Sequence, residues 1–145
     1  MHSPFATRSD AARLLLRASL AAMWFSHAWL KLGVFTMAGF RGFLEQQGLP
    51  AALAWPIVLA EIGGGLLILL GWHGARASLA LLPILAGALA IHWPHGWVFT
   101  AAGGGWEYPA FLAAMSIAHG LLGDGRFALS TPAAAHALGL GGARA

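Results

Sequence analysis

The sequence predicts an all-α polytopic membrane protein: an antiparallel bundle of four transmembrane helices, with a short interfacial helix between the first two. Two observations lead to this fold class. Of the 145 residues, 59% are hydrophobic and only 9% are charged, whereas a soluble domain normally carries about 25% charged residues. Four apolar stretches also approach the roughly 20 residues that cross a bilayer core. The predicted spans are Ala11–Lys31, Ala52–Gly71, Ala75–Trp93 and Tyr108–Leu122.

The first span follows a basic N-terminal stretch that is similar to a signal peptide. Its apolar run continues to Leu32 without a clear small-x-small cleavage site, so a retained span is the better interpretation. With four spans, the termini and the second loop share one side of the membrane. That side carries Arg8, Arg13, Arg17, Arg76, Arg126 and Arg144, and the other side carries Lys31 and Arg41. This bias predicts that both termini are cytoplasmic, and it reflects orientation rather than a nucleic-acid partner.

The segment "GVFTMAGFRGFLEQQGLP" predicts the interfacial helix. Its apolar residues recur at roughly helical spacing, with charged and amide side chains between them. They are Phe35, Phe40, Phe43 and Leu44. Gly48 to Pro50 then end the helix. The alternative is a simple surface connector between the first and second spans.

The second span contains the glycine triplet of "LAEIGGGLLILLG". Gly63, Gly64 and Gly65 weaken the helix by about 1 kcal/mol each relative to alanine, which close approach of another backbone or a ligand cavity would justify. The short connection "WHGARA" predicts that the second and third spans form an antiparallel hairpin. We expect residues 1–130 to form a single domain and the Ala- and Gly-rich residues 131–145 to be a flexible tail.

Glu61 is the most unusual residue of the sequence, because it lies ten residues into the second span. At about 1.5 Å per residue it falls near the bilayer centre, where a charge costs on the order of 3 kcal/mol. Such a residue faces the bundle interior and takes a partner. Glu61 is therefore either protonated or ion-paired. It serves either a ligand or proton role, or only joins helices together.

Candidate partners of Glu61 lie in the outer halves of the neighbouring spans. His27 and Lys31 are four residues apart and share one helical face, with Trp24 one turn inward. His92 lies at a similar depth on the third span. We expect these groups to converge on one pocket, although Lys31 alone would also be explained by snorkelling to the interface.

Other residues have weaker signals. Trp93 and Trp97 fit an interfacial aromatic belt as well as a pocket wall. Glu107 precedes the fourth span, lies near the outer rim, and can cap that helix. We interpret His119 as a packed histidine and Arg17 as an arginine that snorkels to the inner surface.

Six stretches carry a family resemblance through their order and spacing: "SHAWLKL", "GFRGFLEQQGLP", "LAEIGGGLLILLG", "IHWPHGW", "GGGWEYPAFL" and "GDGRFALS". From about residue 11 to residue 130 the chain resembles the DoxX family of small bacterial membrane proteins. The resemblance implies a four-helix bundle in the cytoplasmic (inner) membrane, and a link to quinone-coupled sulfur oxidation or to resistance against quinones and oxidative stress. The recurring polar positions of the family fall on His27, Lys31, Glu61, His92, Glu107 and Tyr108. The chain departs from the family pattern at Ala28, Asp124 and Ser130.

The first functional hypothesis is a membrane subunit of a quinone-linked oxidoreductase system, which binds a quinone or a similar small apolar redox molecule. The expected catalytic residues are Glu61, His27 and Lys31, and the expected ligand-binding residues are His92, Trp24, Trp93, Glu107 and Tyr108. The histidines or the lysine would donate to the quinone oxygens, and the carboxyl group would exchange protons. Because the chain has no cysteine and no nucleotide-binding glycine motif, it would need a soluble or membrane redox partner.

Two alternatives stay open. His27 and His92 could be axial haem ligands, or they could bind a metal ion together with Glu61. The chain could instead be a non-catalytic scaffold, an assembly protein or a small-molecule transporter, whose polar cluster provides packing specificity or a pathway. The glycine-rich second span also allows a homo-oligomer.

Overall fold

The computed structural model describes residues 4–130, and within this range the chain is helical, with no β-strand. Six α-helices follow in order: α1 (Pro4–Trp29), α2 (Thr36–Gln46), α3 (Ala54–Leu70), α4 (Gly74–Ala80), α5 (Leu82–His92) and α6 (Glu107–Leu122). A π-helical turn, Leu30–Val34, joins α1 to α2, and short 3₁₀ turns precede α3 and follow α5. The all-α prediction is confirmed for the described residues. The predicted tail, residues 131–145, lies outside them.

Two helices are long and apolar enough to cross a membrane, Ala51–Leu70 and Gly74–His95. The second combines α4 and α5. In each, only 28% of the most apolar window is buried inside the molecule, whereas the core helix of a soluble protein is mostly buried. The apolar side chains of these two helices therefore face outward, as they do in contact with lipid.

The other two predicted spans are also helical, but neither is both long enough and apolar enough to count as a membrane-crossing helix in the same way. The stretch of α1 from Arg8 to Arg17 carries Arg8, Asp10, Arg13 and Arg17. Helix α6 begins at Glu107 and has 16 residues, which gives a length of about 24 Å at 1.5 Å per residue. All four predicted spans therefore fall on helices. Helix α6 begins one residue before its predicted start, whereas α1 begins at Pro4, seven residues before the predicted Ala11, and the third span is divided between α4 and α5.

The long helices pack in a ring. Helix α1 lies against α3, α3 lies against α4, and α6 closes the ring by contacting α4, α5 and α1. The short connection from Gly71 to His73 makes α3 and α4 consecutive neighbours, in agreement with the predicted hairpin. One apolar cluster fills the middle of the ring and includes Leu20, Trp24 and Ile68.

A second apolar cluster lies beneath α2, and it confirms that this segment is a helix with an apolar face. Phe40 and Leu44 are buried against Ala54 and Val58 of α3. The expectation that all four apolar residues share that face is only half right, because Phe35 and Phe43 are exposed. The helix ends as predicted at Gly48, whose φ of 73° is one that glycine adopts without strain.

The glycine triplet lies against side chains of neighbouring helices rather than against another main chain. A Cβ atom on Gly64 would lie 2.5 Å from Leu81 Cδ1, and one on Gly65 would lie 3.0 Å from the ring of Phe25. Nothing lies within 4 Å of a Cβ placed on Gly63. Two of the three glycines thus make room for bulky residues of the neighbouring helices, which explains why the helix tolerates their cost.

Candidate functional site

The centre of the candidate site is an ion pair between Lys31 and Glu61. Lys31 Nζ donates a hydrogen bond of 2.7 Å to Glu61 Oε1. Glu61 comes from the middle of α3 and is 1% exposed, while Lys31 comes from the π-helical turn that follows α1. The sequence gave Glu61 as a buried acid and Lys31 as one of its candidate partners, and the structure places these two in contact.

The local geometry of the chain aims Lys31 at α3. A π-helical turn contains an extra residue, which rotates the side chains that follow it, and such turns are frequent at functional sites. The ammonium group then lies 5.3 Å from the ring centroid of Phe40 on α2, within the range of a cation–π interaction. It is also 3.4 Å from the main-chain oxygen of His27. Lys31 is therefore held from three sides rather than extended toward the interface.

The carboxylate of Glu61 is only partly satisfied. Its Oε2 atom is buried and has no hydrogen-bond partner within residues 4–130, in contrast to Oε1. A buried acceptor without a partner costs about 1–3 kcal/mol, and such groups in a native protein call for an explanation. This atom marks a place where a ligand or a water molecule can donate a hydrogen bond.

His27 lies beside Tyr108 rather than in a hydrogen bond with Glu61. The two rings are stacked, with their centroids 5.7 Å apart and their planes at 17°. The hydroxyl of Tyr108 donates to Met23 Sδ at 2.9 Å. The structure thus brings His27 and Tyr108 together at the contact between α1 and α6, and the Lys31 ammonium links this stack to Glu61 through the His27 carbonyl.

Three other predicted ligand-binding residues have different surroundings from those expected. Trp24 is buried in the central apolar cluster, where it fills space rather than lining an open pocket. Trp93 is 58% exposed and stacks on Trp106 with a centroid distance of 4.7 Å. Nδ1 of His92 donates to the main-chain oxygen of Gly103 at 3.0 Å, so this histidine fastens the loop that leads to α6.

Glu107 and Tyr108 line an open groove of about 510 Å³ on the surface of α6. Its other lining residues are Trp97, Ala110, Phe111 and Ala114. Glu107 Oε1 accepts a hydrogen bond from the main-chain nitrogen of Phe99 at 3.0 Å, so it braces the preceding loop. The groove is not lined by Lys31 or Glu61, and the stack of Tyr108 on His27 connects the two places.

The three-residue metal alternative does not assemble. Among residues 4–130, no group of three or more histidine, aspartate and glutamate side chains is arranged to hold a metal ion. His27, His92 and Glu61 therefore do not form a ligand set.

A second buried polar group was misread from the sequence. Arg17 does not snorkel to the surface but is 1% exposed. Its guanidinium donates four hydrogen bonds to main-chain oxygens, and we call this arrangement the Arg17 hub. The acceptors are Ile68 at 3.0 Å, Leu69 at 2.6 Å, Asp124 at 3.0 Å and Phe127 at 3.3 Å.

The Arg17 hub completes the C-terminal end of α3. The last four carbonyls of a helix have no partner within it. The Leu67 carbonyl accepts a hydrogen bond from the main-chain N–H of Trp72, and the Ile68 carbonyl accepts one from that of Gly71. This is the Schellman arrangement that is common where a helix ends at a glycine. Leu69 accepts from Arg17, and Leu70 accepts from the nitrogen of Leu129. All four are therefore satisfied, and the segment after α6 is tied to α3.

His119 lies close to the same end of the helices, packed as the sequence predicted. It is completely buried, and its Nδ1 shares a hydrogen bond of 2.7 Å with Ser78 Oγ. Its Nε2 lies 3.2 Å from Asp124 Oδ1, an ion-pair distance without the alignment of a hydrogen bond. Asp124 Oδ1 also accepts from the main-chain nitrogen of Ala75 at the start of α4. These contacts join α4, α6 and the segment after α6.

Comparison with known proteins identifies the family. No curated protein and no solved structure gives a significant match. A family model described as DoxX matches residues 12–94, a stretch that includes the Lys31–Glu61 pair. Members of that family are membrane proteins often associated with oxidoreductase-related function, in agreement with the two apolar helices. The matched stretch covers more than half of the chain, and this helical membrane protein therefore belongs to the DoxX family.

Proposed function

We propose that this chain is the membrane subunit of a quinone-linked oxidoreductase system and binds a quinone, or a similar small apolar redox molecule, beside the Lys31–Glu61 pair. The setting is a four-span bundle in a bacterial cytoplasmic membrane, with both termini in the cytoplasm. The two apolar helices and the family support the membrane setting. The ring of packed helices supports the four-span arrangement.

One observation carries the proposal: among residues 4–130, Glu61 Oε2 is buried without a hydrogen-bond partner, next to the bond that Lys31 makes to Glu61 Oε1. A hydroxyl of a reduced quinone is a donor that would satisfy this oxygen. The ammonium of Lys31 is a donor for a quinone carbonyl. The pair therefore presents one acceptor and one donor to the same ligand, which fits both redox forms of a quinone.

The groove beside Tyr108 supplies the route of entry. It is bounded by aromatic and apolar residues, as binding sites for small apolar molecules usually are. The His27–Tyr108 stack lies between this groove and Lys31. In the proposal, rearrangement of these two rings gives the ligand access to the pair.

This geometry suggests a separate role for each residue of the site. When bound, a quinol would supply the redox chemistry, losing two electrons and two protons on oxidation. Glu61 would accept one proton at Oε2 from the nearer hydroxyl, Lys31 would donate a hydrogen bond to that same oxygen of the ligand, and His27 and Tyr108 would hold the ring. The second proton, from the hydroxyl on the far side of the ring, would pass to water. A redox partner protein, soluble or membrane-bound, takes the electrons, because the chain has no cysteine for thiol or iron–sulfur chemistry.

The first test is the identity of what accompanies the protein. Protein purified gently in a native nanodisc is analysed by mass spectrometry of the extracted small molecules and by UV–visible absorption. The proposal expects a quinone in near-stoichiometric amount. A visible haem band would favour the His27–His92 haem alternative. A preparation that holds and binds neither would favour a scaffold or transport role.

The second test is Glu61→Gln. The substitution removes the proton acceptor but keeps the size of the side chain and an oxygen that can accept from Lys31. We expect quinone-linked turnover to fall by about 100-fold or more, since acid–base catalysis contributes about 10²–10⁴-fold, with little loss of folding stability. Glu45→Gln, on the exposed face of α2, is the matched control. Unchanged turnover and quinone affinity in Glu61→Gln would eliminate the proposed proton role.

A further inference from the structure

Glu107 carries a negative charge at the wall of the groove beside α6, and the chemistry proposed for Lys31 and Glu61 makes no use of that charge. Within residues 4–130, the Glu107 carboxylate forms no ion pair. Its one hydrogen bond there is the one that Oε1 accepts from the main-chain N–H of Phe99. A carboxylate can accept several hydrogen bonds. An anion with spare acceptor capacity beside a groove of about 510 Å³ favours a cationic ligand.

The main chain holds an aromatic ring next to this carboxylate. The main-chain N–H of Glu107 donates to the Trp97 carbonyl at 3.0 Å, and that of Trp106 donates to the Gly96 carbonyl at 3.0 Å. The ring of Trp97 meets Trp106 edge-on, with the centroids 4.4 Å apart and the planes at 85°, and it stays 53% exposed. An exposed tryptophan beside a carboxylate is an arrangement that attracts organic ammonium ions.

Below this charged mouth, the groove follows one face of α6. Ala110, Phe111 and Ala114 lie three, four and seven residues after Glu107, a spacing that places them on the same side of the helix. From Glu107 to Ala114 the groove extends about 10 Å along the helix axis. The two alanines leave space beside Phe111. In the membrane setting proposed above, the mouth lies at the level of the lipid head groups and the floor lies among acyl chains.

We propose that this groove binds a zwitterionic aminophospholipid, whose ammonium group donates to Glu107 beside Trp97 and whose acyl chain lies along Ala110 and Ala114. A soluble amine would leave the apolar floor unused, and an anionic phospholipid would bring its charge against Glu107. The second groove, of about 360 Å³ between α1 and α6, is lined by no charged side chain, so it does not select a head group in this way.

The inference goes beyond the proposed function and does not depend on it. The groove beside α6 is also the proposed route of quinone entry, so a bound lipid and an entering quinone would exclude each other there. Lipid binding and quinone binding are nevertheless measured separately, and either can fail without the other.

The experiment uses the full chain in detergent, mixed with equal amounts of phosphatidylethanolamine and phosphatidylglycerol that carry identical acyl chains. Native mass spectrometry counts the lipids that stay bound. We expect the ethanolamine lipid to bind about tenfold more tightly, because an ion pair and a cation–π contact at an exposed site each contribute a few-fold.

Glu107→Gln keeps an oxygen for the main-chain N–H of Phe99 but removes the charge. The preference should therefore fall to about twofold, the part that the aromatic contact retains. Glu45→Gln, on the exposed face of α2, is the matched control and should keep the full preference. Equal preferences in these two variants, or no preference in the unmodified chain, would overturn the inference.

Two further measurements examine the aromatic contact and the nature of the ligand. Trp97→Leu should lower the preference about threefold, whereas Trp72→Leu, at an exposed tryptophan after α3, should leave it unchanged. Equal preferences in the two tryptophan variants would overturn the aromatic part of the site. Free ethanolamine at millimolar concentration should not displace the lipid. Displacement would show that the groove takes a soluble amine and would overturn the assignment of a lipid.

Discussion

The Arg17 hub and the Lys31–Glu61 pair bury charge to the same extent but satisfy it differently. Arg17 and Glu61 are each 1% exposed. The four hydrogen bonds of Arg17 end on main-chain carbonyls from α3 and from the segment after α6. Glu61 makes one bond to a side chain and leaves its second oxygen without a partner.

The two buried charges differ in what they can still bind. A charge whose hydrogen bonds all end on the main chain is part of the fold, and it holds together elements that are distant in sequence. A charge with one side-chain partner and one open acceptor keeps the capacity to bind something else. Burial by itself therefore does not distinguish Arg17 from Glu61, whereas the open acceptor of Glu61 does.

Arg17→Met should have the largest effect on stability. The substitution keeps much of the aliphatic stem and removes the four hydrogen bonds that the guanidinium donates, so the free energy of unfolding should fall by about 3 kcal/mol or more. Unfolding in mixed detergent, followed by circular dichroism, measures it. Arg76→Met, at an exposed arginine of α4, is the control. Equal stability of the two variants would show that the hub does not hold the helices together.

Lys31→Met should cost about 3 kcal/mol, because it leaves the Glu61 carboxylate buried without its partner. Adding Glu61→Gln in the same chain should recover most of that loss, with a coupling of at least about 1 kcal/mol in a double-mutant cycle of unfolding free energies. No second side-chain substitution can rescue Arg17→Met in this way, since its acceptors are backbone atoms. A double variant no more stable than Lys31→Met would contradict the distinction between a buried charge paired with a side chain and one bound to main-chain carbonyls.

Gly71→Ala should destabilise the Arg17 end by about 2 kcal/mol. Gly71 has a φ of 66°, and an added Cβ would lie 2.5 Å from Arg17 Nη2. Gly87→Ala in α5, where nothing lies within 4 Å of the new atom, should be neutral or stabilising. Thermal unfolding of the two variants compares them directly, and equal midpoints would show that the hub tolerates repacking.

Phe40→Leu should have the smallest effect, about 1 kcal/mol. It removes the aromatic face near Lys31 but retains an apolar side chain between α2 and α3. Phe43→Leu, at the exposed neighbour, should change stability less. If Phe40 positions Lys31, quinone affinity should also fall in Phe40→Leu but not in Phe43→Leu. Parallel losses of affinity in both variants would limit the role of Phe40 to packing.

The sequence predicted that Glu61 is buried and gave Lys31 as one of its candidate partners, but it did not predict the surroundings of the aromatic residues. A carboxyl group in an apolar run is either protonated or paired, and the sequence left Lys31, His27 and His92 as candidates. Trp24 and Trp93 carried no comparable constraint, since each is equally suited to a core, an interface or a pocket. Their positions depend on the rotation of α1 and on the path of the loop after α5.

Arg17 was misread because its partners are distant along the chain. The main-chain oxygens of Asp124 and Phe127 are 107 and 110 residues away, and carbonyl groups leave no trace in the pattern of side chains. A signal was nevertheless present: an arginine in the interior of an apolar run needs either the interface or a set of acceptors. The sequence could not say which, because that depends on the segment after α6 folding back against α3.

The amino-acid sequence by itself determined where the apolar helices lie along the chain, and that Glu61, buried among them, is either protonated or paired with a cation. These properties follow from hydropathy, helix-ending glycines and the cost of a buried charge, all of which are local. Only the tertiary structure decided that the hydrogen bonds of Arg17 end on main-chain carbonyls, whereas Glu61 keeps an open acceptor oxygen. It also decided that grooves lie beside α6. Those properties depend on how distant helices rotate and pack against one another, and local sequence does not fix that rotation.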